Sequence, residues 1–371
     1  MIKNAWLKYV FILISAFFLT ATNVCAEDAA PNSDIESFKY AYAEYKKLSE
    51  QGMWHEALPH AETTFKIGRK LLGDDNKKTA VLAFHYGTNL AAVRYYEKAR
   101  EIFTLTLELT EKQSGKNSED LIPILVELGR IARRYNDSTE ENKPLERAVN
   151  IASETFGKNS IRTAELMSVL GNDYYLIGNS PRAHELLTES HELLEKKAGS
   201  NDIRTGLAAF YLGQYYHDKN RLEAARGYYV KALEAFDNPD QPDQVLELQT
   251  RGQLVNVYEL LGDQKSATEH CLAIGKMTPA HDIQNYLPVF KKAPDYPNNA
   301  LKKGQEGYTV VEFSVSEFGF VENPKIIESS DPVFDQASLE ATKKFRYAPK
   351  FVDGKPVRVD NVRNKLSYKL E

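Results

Sequence analysis

Cysteine is almost absent from this sequence: 371 residues contain two, Cys25 and Cys271. Cys25 lies before a predicted cleavage site, so a processed chain would keep Cys271 alone and could form no intramolecular disulfide. Cys271 falls on an apolar helical position, which predicts a buried structural thiol. A processed chain therefore cannot depend on an intramolecular disulfide for its fold.

A strong excess of one charge is absent as well. The formal net charge is −5, so no global basic field draws the chain to nucleic acid. One local excess stands out, since Thr342 to Glu371 contains nine Lys/Arg against three Asp/Glu, a net of +6. This indicates either a solvated face or a basic edge for an acidic or carboxylate partner.

Sequence motifs for catalysis and metal binding are also absent. The chain has no HExxH, no paired CxxC, no Gly-rich phosphate loop and no G-x-S-x-G. His184 and His191 are seven residues apart on one helix. Two turns separate them by about 10 Å, too far for both to bind one metal ion. We expect a protein that is not an enzyme and that needs no cofactor or metal.

The N-terminus carries the one segment that indicates export. Lys3 and Lys8 precede an apolar stretch, and Val24 and Ala26 are the small residues of a cleavage site before Glu27. The uncharged run over 9–26 has 18 residues, at the short end of the roughly 20 that span a bilayer. We predict a cleaved signal peptide at residues 1–26, with a retained membrane anchor as the alternative.

A regular repeat dominates the middle of the chain. Glycines recur every 42 residues at Gly87, Gly129, Gly171 and Gly213, and a second column reads Ala57, Ala99, Glu141, Ala183, Ala225 and Ala267. Small residues let the two helices of a hairpin approach closely, and hairpins that cannot bury their apolar faces alone stack into a solenoid. The pattern resembles tetratricopeptide repeats of a long type, six of them over 37–277. The third is the weakest, because Glu141 replaces the alanine.

Such solenoids offer a groove lined by the first helix of each hairpin. The column after the glycines is polar throughout: Lys46, Thr88, Arg130, Asn172, Gln214 and Asn256. The last four could bind an extended peptide or a carboxylate, although a helix face that simply meets water explains the column too. With neighbours three or four residues away, the candidate groove residues are Arg130, Arg133, Asn172, Tyr175, Phe210, Gln214, His217 and Asn256.

After Met277 the helical pattern ends. Apolar residues alternate at Val311, Phe313 and Val315, a turn ends at Gly319, and a second strand, a short amphipathic helix and a last strand follow. The apolar positions of the last strand change phase, which predicts a β-bulge near residues 360–361.

This β-β-α-β order and its motifs closely resemble the TonB C-terminal domain. The matching residues are Pro294, Tyr296, Pro297, Ala300, Gly304, Gly307, Val311, Phe313, Val315, Gly319, Val321, Phe334, Asp335, Ala337, Phe345, Pro349, Gly354, Lys355 and Pro356. The resemblance implies a periplasmic domain that pairs a strand edge with an extended segment of an outer-membrane transporter. The last strand is the expected docking edge, with Arg358, Val359, Arg363 and Lys365 as its candidate partner-binding residues.

The sequence thus predicts an all-α tetratricopeptide solenoid of about six hairpins followed by a small α+β TonB-like domain. The boundaries are 1–26 signal, 27–36 linker, 37–277 solenoid, 278–292 linker and 293–371 C-terminal domain. We expect a periplasmic adaptor whose partners are proteins or peptides, including outer-membrane transporter segments. Nucleic acid is not expected, membrane contact requires a retained N-terminus, and a homodimer through the last strand is an open alternative.

The alternative function is that of an anchored TonB-like energy transducer, although residues 1–26 contain no histidine and a Pro-rich spacer is missing.

Overall fold

The computed structural model describes residues 32–133, 142–240, 242–278 and 286–370. The predicted signal segment, with Ala26 and Glu27, lies outside the described residues, as does Glu141 of the weak third repeat. The chain divides into two compact units, Met1–Ala198 and Gly199–Glu371. In the described part of the chain, no helix is long and apolar enough to cross a membrane.

The first unit is built from four helical hairpins. Its helices are α1 (Asn32–Glu50), α2 (Trp54–Leu72), α3 (Lys77–Ala92), α4 (Tyr96–Ser114), α5 (Ile122–Ala132), α6 (Lys143–Phe156), α7 (Ile161–Leu176) and α8 (Ser180–Ala198). The first helix begins at Asn32, inside the segment predicted to be a linker. Polar caps start several helices: the side chain of Asn76 accepts a hydrogen bond from the Lys78 amide, and that of Ser160 from the Thr163 amide.

The glycine column allows the two helices of a hairpin to approach closely, as its spacing suggests. The side chain that packs against each glycine is a large one and not the alanine of the second column. A Cβ atom added at Gly87 would lie 2.9 Å from the ring of Phe103, and one at Gly213 would lie 2.6 Å from the ring of Tyr229. The glycines therefore admit a large side chain from the second helix of the same hairpin, rather than the alanine. The alanine column is nonetheless fully buried, with Ala57, Ala99, Ala183, Ala225 and Ala267 each 0% exposed.

The turn within each described hairpin needs one residue in the left-handed region. These residues fall in one column of the repeat: Gly52 (φ 72°), Arg94 (φ 70°), Gly178 (φ 86°), Asn220 (φ 54°) and Gly262 (φ 80°). Glycine and asparagine adopt this conformation readily, whereas a residue with a long side chain does so at a cost. Arg94 is therefore the exception in the column.

The second unit begins with two more hairpins, α9 (Ile203–Asp218) with α10 (Leu222–Phe236) and α11 (Gln244–Leu261) with α12 (Gln264–Met277). The C-terminal domain follows, with a short helix α13 (Asn298–Lys302), strands β1 (Gly307–Val315) and β2 (Val321–Ser329), helix α14 (Asp335–Thr342), and strands β3 (Lys350–Val352), β4 (Lys355–Val357) and β5 (Val359–Tyr368). The predicted helical repeats and the β-β-α-β order are confirmed.

Strand order in the main sheet is β2-β1-β5, with antiparallel neighbours. Helix α14 contacts β1 and β2, and the core of the domain includes Phe313, Phe345, Tyr347 and Val362. The predicted bulge is confirmed. Phe313 lies opposite Val362 and Val315 opposite Val359, so β5 has one extra residue there, and Asn361 has a φ of 58°.

Two features of this domain were not predicted. The β3–β4 hairpin forms a separate two-stranded sheet, turning at Asp353 and Gly354, both with positive φ. The described part of the predicted second linker, residues 286–292, packs against the rest of the unit: the amides of Val289 and Phe290 both donate to the carbonyl oxygen of Arg346. Phe290 also joins a buried cluster with Val255 of α11 and Cys271 of α12.

Candidate partner-binding surfaces

A polar groove of about 700 Å³ lies in the first unit. It is bounded by the first hairpin turn, the end of α3 and the end of α5. We call it the arginine groove and define it by Trp54, His55, Arg94, Glu127, Arg130 and Arg133. Two residues predicted from the sequence, Arg130 and Arg133, therefore share one surface.

Buried carboxylates hold both of these arginines. Nη1 of Arg130 donates to the two carboxylate oxygens of Glu127 at 2.7 and 2.9 Å, and Arg133 forms an ion pair with Asp173 of α7. The carboxylate side chains are 2% and 4% exposed, against 24% and 28% for the two arginines. Each arginine side chain is thus held by a buried carboxylate and is itself about a quarter exposed.

The remaining predicted residues of the first unit lie on α7. Asn172 is 9% exposed and Tyr175 is half-buried, and neither lines the arginine groove. Thr88, which does line it, is 6% exposed and donates to the carbonyl oxygen of Phe84. Part of the polar column therefore serves helix structure.

In the second unit the predicted residues divide between packing and surface. Phe210 is 7% exposed and packs against Tyr229 with ring centroids 5.7 Å apart, so the structure places it inside the hairpin and not on a surface that a peptide could reach. Gln214 and His217 are half-buried on α9, and they stay candidates. The side chain of Asn256 donates to the carbonyl oxygen of Val289 at 3.3 Å, so this position is occupied by the chain itself.

Strand β5 forms an edge of the main sheet, because it pairs only with β1 in the described part of the chain. Its predicted residues differ in their surroundings. Val359 is 6% exposed and belongs to the core. Arg358 forms ion pairs with Glu322 and Asp360, whereas Lys365 lies over the ring of Tyr308 at 3.8 Å.

Arg363 takes part in a three-residue row across the exposed face of the sheet. Glu312 of β1 accepts from Arg363 of β5 at 2.8 Å and pairs with Lys325 of β2 at 2.8 Å. Hydrogen bonds from Lys325 and Arg363 lower the pKa of the Glu312 carboxyl. The basic residues of β5 are therefore already engaged within the sheet, and what the edge offers is mainly its backbone.

The sequence of the C-terminal domain matches a known domain family. Residues 292–370 match the family model of the Gram-negative bacterial TonB protein C-terminal. Residues 143–196, which cover α6 and α7 and most of α8, match the tetratricopeptide repeat. The chain thus combines helical repeats, which suggest protein–protein interaction, with a TonB C-terminal domain.

Some solved structures have a likeness to the chain, among them one described as having TPR-like repeats. BtubC (BKLC) from P. vanneervenii is 17% identical with a TM-score of 0.49, covering 72% of this chain and 98% of its own. A putative kinesin light chain of Podosopora anserina with TPR-like repeats is 15% identical with a TM-score of 0.49, covering 56% and 98%. A Rap protein complexed with competence and sporulation factor is 13% identical with a TM-score of 0.45, covering 65% and 76%. These low values indicate only a distant likeness. No curated protein sequence matched the chain.

Three residues, two at the arginine groove and one in a buried ion pair, are not predicted from the sequence. Arg94 lies in the turn column, where a long side chain among glycines and asparagines was an available signal. Glu127 follows the helix pattern and gives no sign of its burial. Arg346 pairs with a residue 87 positions away, and no local pattern indicates such a contact.

Proposed function

We propose that this protein is a periplasmic, protein-binding adaptor of the TonB family, which docks cell-envelope or outer-membrane transport partners through its helical repeats and its TonB C-terminal domain. The observation that carries the proposal is the edge position of β5 in the matched domain. An edge strand presents a row of backbone donors and acceptors that an extended segment of another protein can complete.

The bulge at residues 360–361 gives this edge a limited length. It divides β5 into a short part before the bulge and the regular ladder from Val362 to Tyr368. The regular part alone offers an uninterrupted set of backbone groups, so the partner segment is expected to pair along it. Side chains on the exposed face, such as Arg363 and Lys365, then adjust the choice of partner rather than supply most of the binding free energy.

Site-specific photocrosslinking in living Gram-negative cells tests this function. A photoreactive amino acid is placed at Ser367, exposed on β5, and in a matched control at Ile327, which is 41% exposed on the opposite edge strand β2. We expect crosslinks from Ser367 to an extended, periplasm-facing segment of an outer-membrane protein, and few from Ile327. Equal yields at the two edges, or none at Ser367, would contradict docking through β5.

The periplasmic location rests on the predicted signal peptide and is tested separately. The intact mass of the protein from its native envelope is measured, together with an alkaline wash of the membranes. A chain that begins at Glu27 and washes off supports the adaptor. A full-length chain that stays with the membrane would instead support the anchored transducer.

A further inference from the structure

A group of lysines forms where the segment before the C-terminal domain meets the end of helix α14. Phe290 and Arg346 form an isolated antiparallel bridge, in which each backbone amide donates to the carbonyl oxygen of the other residue, at 3.2 and 3.0 Å. Because the bridge is antiparallel, the residues after Phe290 and those before Arg346 leave it in the same direction. The lysines among them are all exposed, and we call them the lysine cluster: Lys291, Lys292, Lys343 and Lys344.

The side chain of Lys291 shows that the two segments meet. Its ammonium nitrogen lies 5.6 Å from the centre of the Phe345 ring, and Phe345 directly follows Lys344 in the chain. The same nitrogen donates to Oδ1 of Asn364 on β5 at 3.0 Å. The two pairs of lysines are more than 50 positions apart in the sequence, so it is the fold that brings them to one surface.

The charge of the lysine cluster is only partly balanced. Within the described residues, none of its four members forms an ion pair. The nearest described carboxylates along the chain are Asp295, which is exposed, and Glu340, which accepts a hydrogen bond from Gln336 at 2.7 Å. Four cations against these two carboxylates leave a net charge of +2. Burial lowers the pKa of the Lys291 ammonium group, and no carboxylate lies close enough to raise it again.

An apolar side chain accompanies the cluster. Leu287, on the same segment as Lys291, is 76% exposed, more than any other large apolar side chain in the described part of the chain. The segment is anchored on both sides of it: the ring of Tyr286 packs against that of Tyr347 with centroids 5.0 Å apart, and Phe290 is 9% exposed. Leu287 is therefore held at the surface, within four residues of Lys291, with its side chain in solvent.

We propose that the lysine cluster and Leu287 bind the surface of a bilayer that contains anionic lipids. Lysine is a compact point charge that pairs with a phosphate group from many directions, whereas paired recognition of carboxylates favours the planar fork of arginine. Basic residues in groups of roughly four to eight, together with an apolar side chain that enters the interface, are typical of peripheral binding to anionic membranes. This contact goes beyond the proposed docking of proteins at β5, and it does not need a retained N-terminal segment.

The test uses the chain that begins at Glu27, so that the apolar N-terminal residues contribute nothing, and two vesicle preparations. One contains phosphatidylcholine alone, and the other contains phosphatidylcholine mixed with phosphatidylglycerol of the same acyl chains. Binding is measured by co-sedimentation at two salt concentrations, and melting temperature is recorded for every variant. The cluster variant changes all four lysines of the cluster to glutamine. The control variant loses the same charge at four exposed lysines of the same domain: Lys302, Lys303, Lys355 and Lys369.

We expect the chain to bind the anionic vesicles, more weakly at high salt, and not to bind the neutral ones. The cluster variant should bind at least about thirtyfold more weakly, because each lysine near an anionic surface contributes roughly fivefold. Arginine at the same four positions should preserve binding, since the charge is kept. Leu287→Ser should weaken binding about fivefold, whereas Leu301→Ser, at a side chain that is 50% exposed, should have no effect. All these surface changes should leave the melting temperature nearly unchanged.

Equal losses in the cluster and control variants would show that binding follows net charge alone and would overturn the assignment to this cluster. Equal binding to both kinds of vesicle would overturn the recognition of anionic lipids. A labelled soluble peptide of alternating Asp and Ser is tested beside the vesicles by fluorescence anisotropy. If the cluster bound this peptide and left the vesicles free, its partner would be an acidic protein segment and the lipid proposal would be wrong. None of these outcomes alters the crosslinking expected from Ser367, so the proposed adaptor function stands or fails separately.

Discussion

Arg346 of the C-terminal domain forms a buried ion pair with Glu259 of α11, and the two side chains are 2% and 9% exposed. The second terminal nitrogen of Arg346 donates to the hydroxyl of Thr268 on α12 at 2.8 Å, and the ring of Phe320 lies 3.8 Å from its guanidinium carbon. The cation is thus surrounded by groups from the last hairpin and from its own domain. Within the second unit, the C-terminal domain and the last hairpin are therefore joined by buried polar contacts.

Removing one partner of this pair should be costly. Glu259→Ala leaves the Arg346 charge buried without its counterion, and such changes lower the free energy of unfolding by about 3–5 kcal/mol. The double variant Glu259→Leu with Arg346→Met removes both charges and should cost much less. Glu223→Ala breaks an exposed pair with Arg226 in the same unit and should change stability by about 0–1 kcal/mol.

The measurement must report unfolding of the second unit and not of the first. The sequence has two tryptophans, Trp6 in the predicted signal segment and Trp54 in the first unit, so tryptophan fluorescence follows the first unit. Hydrogen exchange of the β1 amides follows the second. If Glu259→Ala left that exchange no faster than Glu223→Ala does, the ion pair would not contribute to the stability of the unit.

Cys271 should be unreactive in the folded protein. It is 0% exposed, and burial raises the pKa of its thiol to about 11. At pH 8 a shift from the usual 9.0 to about 11 lowers the thiolate fraction by about a hundredfold, and the thiolate is the species that reacts. We expect a thiol reagent to label the chain quickly in denaturant and very slowly without it. Fast labelling of the native protein would show that the predicted buried position is wrong.

The same burial sets a direction for the dependence of stability on pH. A thiol whose pKa is raised in the folded state favours folding while it stays protonated, and this contribution is lost as pH rises from the usual value of 9.0 towards about 11. Burial also raises the pKa of Tyr286 and Tyr347 in the same unit, with the same sign. Unfolding of the second unit should therefore become easier above about pH 9, and Cys271→Ala should remove part of that slope.

The sequence predicts the features that follow a regular spacing, namely the repeated helical hairpins and the strands with alternating apolar residues. The columns through Gly87 and Ala99 identify the hairpins because the two helices of each hairpin need small residues at the same positions in order to pack closely. The phase change between Val359 and Val362 reveals the bulge because side chains of a strand alternate between two faces. Periodicity cannot separate a groove from a core when both lie on one helix, which is why it predicts Phe210 in the groove although the structure buries this side chain. Nor can it find contacts between distant segments, such as Arg346 with Glu259.

Two glycines in the second unit should respond in opposite ways to alanine. A Cβ atom at Gly213 would meet the ring of Tyr229 at 2.6 Å, whereas nothing lies within 4 Å of one at Gly227. Gly213→Ala should lower the free energy of unfolding by about 1–3 kcal/mol through overpacking. Gly227→Ala should raise it by about 0.5–1 kcal/mol, because alanine favours the helix. Both changes in the free energy of unfolding are measured by denaturant titration, with hydrogen exchange of the α9 and α10 amides as the readout. Similar effects of the two changes would refute the close approach at the glycine column.

Truncation after Thr278 should destabilise the last helical hairpin rather than simply remove a module. The apolar residues Val255, Cys271 and Ile274 cluster with Phe290, which the truncation deletes together with Arg346, the counterion of Glu259. Terminal repeats of a solenoid need a cap that shields their apolar face, and in the second unit residues 286–290 and 346–351 provide it. We expect Cys271 of the truncated chain to react with a thiol reagent much faster than in the full chain, and the amides of α12 to exchange faster. Unchanged reactivity would mean that the hairpin is stable by itself and that the TonB C-terminal domain only rests against it.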